Sequence, residues 1–92
     1  MYSVIPPEWA NQIYDLLVEY GALEDDRQSF IYHAERGGFD EWRFQGIFGF
    51  GGKFRNRGDK WYVDYYQEHQ TPERDTAEKE LTEKLEALRR GT

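Results

Sequence analysis

Apolar residues recur with a helical period at both ends of the chain and with a period of two in between. Over residues 7–20, Trp9, Ile13, Leu16, Leu17 and Tyr20 share one side, and Glu8, Asp15 and Glu19 the other, which predicts an amphipathic helix. Pro6 and Pro7 suit its start and Gly21 its end. Over residues 72–90 the stripe is Ala77, Leu81, Leu85 and Leu88. Thr71 is the expected N-cap, Pro72 the first helical residue, and Glu73 and Asp75 lie near the positive end of the helix dipole. Opposite charges at four-residue spacing, Asp75 with Lys79, Lys79 with Glu83 and Glu80 with Lys84, mark the flanks as solvated.

Between these helices three stretches alternate, which predicts half-buried strands at about 28–35, 41–55 and 60–66. Pairing Ala34 with Trp42 and Phe54 with Trp61 keeps the rings on one face and leaves Asn56-Arg57-Gly58-Asp59 as a turn. Residues 46–54 hold four glycines. They are read as a bend at Gly49 in one long strand, the alternative being two strands broken there. The expected fold is α+β: an N-terminal helix, a three- to four-stranded antiparallel meander and a C-terminal helix, with both helices on one face of the sheet. A single domain spans residues 1–92.

Composition changes what the core is made of. Leu, Ile, Val and Phe together number only 19 of 92 residues, close to the roughly 20% floor for folded chains. Sixteen aromatic residues compensate, against thirteen Leu, Ile and Val, because each ring buries roughly 150–250 Å². Eleven of them fall on expected core faces: Trp9, Tyr20, Phe30, Tyr32, Trp42, Phe44, Phe48, Phe50, Phe54, Trp61 and Tyr65. Tyr2, Tyr14, Phe39, Tyr62 and Tyr66 remain outside it. With no cysteine, no long apolar run and no basic-then-apolar leader, a cytoplasmic location is expected, and thiolate zinc sites and cysteine nucleophiles are excluded.

The net charge of −6 is uneven. Residues 1–40 carry −6, residues 41–66 carry +2, and residues 67–92 carry −2. An acidic whole disfavours strong non-specific binding to DNA or anionic membranes. The basic island leaves one surface to consider, the sheet face opposite the rings, which displays Arg43, Gln45, Lys53, Arg55, Lys60, Tyr62, Asp64 and Tyr66.

Other chemistry fails on spacing. Gly52-Lys53 is followed by Phe54, and Ile47 stands where a P-loop needs its first glycine. A dinucleotide fingerprint needs a helix directly after its glycines, whereas strand pattern follows here. His33 and His69 have no partner at metal-ligand spacing, and Glu24-Asp25-Asp26 lacks the alternation of a calcium loop. No catalytic set, metal site or cofactor is expected.

Phe44-Gln45-Gly46, Gly49-Phe50-Gly51-Gly52-Lys53-Phe54, Trp61-Tyr62-Val63 and Thr71-Pro72-Glu73-Arg74 together resemble a group of small bacteriophage and prophage proteins, especially those of actinobacteria. The resemblance covers roughly residues 42–74 and carries no catalytic residue. It implies a phage accessory protein of the host cytoplasm that acts by binding a host or defence protein. A non-enzymatic, protein-binding interaction module is therefore the expected function. The rival is nucleic-acid or nucleotide binding by Arg43, Lys53, Arg55, Lys60, Tyr62 and Tyr66. A homodimer through the open face or the second helix is a further expectation, and no membrane partner is expected.

Overall fold

Helix α1 (Pro7–Glu19) buries Ala10, Ile13, Tyr14 and Leu17, the spacing expected of a helix with one face in the core. It is the first element of a computed structural model that describes residues 4–47, 51–57 and 60–91, with the side chain of His69 left aside. Gly21, at a φ of +108°, ends the helix in the left-handed region that glycine tolerates. After a 3-10 turn at Glu24–Asp26 come helix α2 (Arg27–Arg36), strands β1 (Glu41–Gln45), β2 (Gly51–Asn56) and β3 (Trp61–Tyr65), a 3-10 turn at Gln67–His69, and helix α3 (Pro72–Arg90). The fold is α+β, with an antiparallel three-stranded sheet in the order β1-β2-β3. Thr71 caps α3 as expected, its hydroxyl accepting from the Arg74 N–H at 3.1 Å.

Residues 28–35, expected as the first strand, form most of α2 instead. Phe30 and Ala34 are buried, and their spacing of four fits a helix as well as a strand. Tyr32 decides the matter, because a strand would bury it and it is 55% exposed. The ends also favour a helix: Glu24, Asp25 and Asp26 precede it, His33 and Arg36 occupy its last turn, and Gly38 follows at a φ of +71°. Arg27 ties α2 to α1, pairing with Asp15 at 2.7 Å and with Glu24, and donating to the Asn11 carbonyl.

The stretch 41–55 is likewise not one bent strand. β1 and β2 run antiparallel to each other, with Trp42 opposite Phe54 and Phe44 opposite Gly52, so the chain reverses between them. Phe48, Gly49 and Phe50 lie outside the described residues. Trp42 therefore pairs with Phe54 and not with Ala34. β3 is displaced by two residues from the expected register: Phe54 faces Val63, Gly52 faces Tyr65, and Asn56 faces Trp61. The reason is Asn56, a buried strand residue and not part of a turn, whose Oδ1 accepts from the Trp61 indole at 3.2 Å. Gly58 lies outside the described residues, and the Arg57 N–H donates to the Lys60 carbonyl across the loop. A shift of two preserves the faces, so the ring-bearing side remains the core side.

Phe30 is the centre of that core. Its ring meets Tyr14, Phe39, Trp42 and Phe54 at centroid separations of 5.2, 5.4, 5.7 and 5.7 Å. Tyr14 and Phe39, expected outside the core, are buried in it, whereas Tyr32 is not. Burial, with help from Asp26 and Glu24, pushes the Tyr14 hydroxyl up to about 12; it donates to the Leu23 carbonyl. Leu81 and Leu85 of α3 complete the cluster.

The two edges of the sheet are treated differently. On the outer edge of β3, the N–H groups of Trp61, Val63 and Tyr65 donate to Glu86 Oε1 at 2.7 Å, Thr82 Oγ1 at 3.3 Å and Glu78 Oε2 at 2.8 Å. Four helical residues rise about 6.0 Å and two strand residues about 6.6–6.8 Å. Acceptors at this spacing on a helix laid antiparallel to the strand thus meet every second N–H. Burial alone would raise the pKa of Glu86, but hydrogen bonds from Arg89 and from the Trp61 N–H outweigh it and hold the carboxyl below its ordinary value. The α3 side chains seal this edge as a fourth strand would.

Candidate functional site

All eight residues expected on the open face belong to one surface. Antiparallel registers place them in rows across the strands: Gln45, Gly51 and Tyr66; Arg43, Lys53 and Asp64; Glu41, Arg55 and Tyr62. The parity expected from the alternation therefore holds on all three strands. Lys60 lies at the end of this surface, with its Nζ 5.4 Å from the Tyr62 ring centroid, a cation–π arrangement.

The electrostatics differ from a simple basic patch. Arg55 lies between two carboxylates, with Nη1 3.4 Å from Glu41 and Nε 3.0 Å from Asp64. Glu41 also pairs with Lys53 at 3.6 Å. Glu41, which drew no attention as a site residue in the sequence, is thus the hinge of a mixed-charge network. Among the described residues, Arg43 and Lys60 have no ion-pair partner.

Tyr66 has a structural duty that its sequence position hid. Gly51 leaves a gap in the row beside it, and a Cβ there would lie 3.3 Å from the Tyr66 ring and 2.5 Å from the Phe44 carbonyl oxygen. The ring covers a strand glycine, a known way to restore packing where no side chain fits. Tyr62 is half-buried and has no such assignment.

Two clefts lie away from this face. One, of about 280 Å³, is lined by Val4, Ile5, Pro6, Trp9, Trp61 and Arg89 together with Asn56. The other is a groove of about 490 Å³ between α1 and α3, where Leu16 and Leu88 lie among Asp15, Glu19 and Lys84. Lys84 pairs with Glu19 at 3.1 Å across it, so a residue expected to pair along α3 joins the helices instead. No group of three or more His, Asp or Glu among the described residues is placed to hold a metal ion. No helix among them is long and apolar enough to cross a membrane.

No protein-family model, curated protein or solved structure matches the chain. The functional reading therefore rests on the surface itself.

Proposed function

We propose that this protein is a non-enzymatic interaction module that binds another protein through the open face of its sheet. The observation that carries this reading is the bracketing of Arg55 by Glu41 and Asp64. Phosphate binding depends on accumulated Lys and Arg contacts, and here Lys53 and Arg55 already answer to carboxylates within the face. A sheet face of paired charges with Tyr62 among them suits a protein surface of similar mixed character. The resemblance to bacteriophage proteins makes a host or defence protein of the cytoplasm the class of partner.

The test is capture from a bacterial lysate by the wild-type chain and by Tyr62→Ala, Arg55→Ala and, as a control on the exposed side of α3, Lys79→Ala. A captured protein lost with the first two and retained with the third is the expected result. Capture indifferent to both face substitutions would overturn the reading. So would salt-sensitive binding of single-stranded DNA or RNA that the same substitutions abolish, which would establish the face as a nucleic-acid site.

A further inference from the structure

The edge opposite the sealed one is open. Asn56 donates its N–H to the Asp40 carbonyl at 2.8 Å, which fixes the hydrogen-bonding alternation of the β1–β2 ladder. Trp42 and Phe44 face β2 with their backbone groups, and Glu41 and Arg43 turn theirs outward. At the far end the edge is closed, because the Leu23 N–H donates to the Gln45 carbonyl at 3.2 Å and Ala22 bridges to Gly46. Among the described residues nothing pairs with the outward backbone groups of Glu41 and Arg43. Beside this short edge lie Trp42, His33 and Tyr32, with centroids 5.4 Å apart in succession, and Arg36 sits 5.0 Å above the exposed Tyr32 ring.

We infer that this edge takes a second copy of the same chain, β1 against β1 in antiparallel register about a two-fold axis at Trp42, making one six-stranded sheet. The registers available to a symmetric pair are few, and charge selects among them. An axis at Arg43 would set Arg43 against itself and drive the partner strand into Leu23. An axis at Glu41 would oppose two carboxylates. The axis at Trp42 sets Glu41 opposite Arg43 of the second copy twice over, each as a hydrogen-bonded pair that uses the unpaired backbone groups. It also brings the two Trp42 residues together across the axis, with Tyr32 flanking. Tyr, Trp and Arg are the residue types that anchor interfaces. Glu41 and Arg43 also belong to the open face, whereas Tyr62 and Arg55, the positions substituted to test binding there, lie on β3 and β2 away from this edge.

Sedimentation over a concentration series, with circular dichroism to verify folding, tests it. The wild-type chain is expected to reach twice its 11.0 kDa mass at micromolar to millimolar concentration. Arg43→Pro removes the outward N–H, a loss tolerated on an edge strand, together with the guanidinium, and should leave a folded monomer. Arg43→Glu and Glu41→Arg should each be monomeric alone, because each opposes like charges, and an equimolar mixture of the two should dimerise. A wild-type chain that stays monomeric to millimolar concentration would overturn the inference. A dimer that survives both Arg43→Pro and Arg43→Glu would also overturn it, placing the contact elsewhere, such as the groove between α1 and α3.

Discussion

Gly51 shows how one residue links backbone geometry to the surface proposed for binding. A Cβ at this position would collide with the Phe44 carbonyl, a backbone atom that cannot yield without disturbing the β1–β2 ladder, and would press on the Tyr66 ring. Gly51→Ala should therefore destabilise the fold by about 2 kcal/mol or more, measured by urea denaturation. Gly37→Ala, at an exposed position where a Cβ meets nothing within 4 Å, should stay within about 0.5 kcal/mol of wild type. Equal effects at the two positions would contradict the close approach at Gly51. The glycine cluster was visible in the sequence as a place of unusual backbone. Its partner, the Tyr66 ring, was not, because the contact depends on a register that sequence alternation leaves free to slide by two.

Elements differ in how plainly the sequence declares them. Helices α1 and α3 have long stripes and proline starts, and both are legible. α2 is short, and two of its ten residues are buried, at a spacing of four that also satisfies alternation; its acidic start and Gly-Gly end were the better signal. The parity of β1 and β3 was legible from Trp42 with Phe44 and from Trp61 with Tyr65, and that of β2 from Phe54 alone. The sealing of β3 was not, since Glu78, Thr82 and Glu86 look like solvated polar positions until the strand lies beside them. The seal predicts a pH effect. The Glu86 carboxyl is held below its ordinary 4.5 in the folded state, so its contribution is present above that value and is lost as pH falls through the lowered folded pKa. Glu86→Gln keeps an oxygen for the Trp61 N–H and loses the pair with Arg89. It should cost about 1 kcal/mol at neutral pH, and the difference from wild type should shrink as pH falls below 4.5. A difference independent of pH would refute the assignment.

At the scale of the whole molecule, the organisation is a sheet with one face in the core, one face open, one edge sealed and the other unpaired at Glu41 and Arg43. The net charge of −6 is carried mainly by the helical ends of the chain, leaving the open face mildly basic, with Lys53 and Arg55 paired to Glu41 and Asp64. Exposed edges are usually blunted by charge or covered; here α3 covers one edge, and the other presents Glu41 and Arg43 in a self-complementary order. Residue-resolved amide hydrogen exchange over a concentration series tests this asymmetry most directly. Trp61, Val63 and Tyr65 should be protected at every concentration, whereas Glu41 and Arg43 should exchange rapidly at high dilution and gain protection as the chain is concentrated. Rapid exchange along β3, or Glu41 and Arg43 amides already protected at high dilution, would contradict the account.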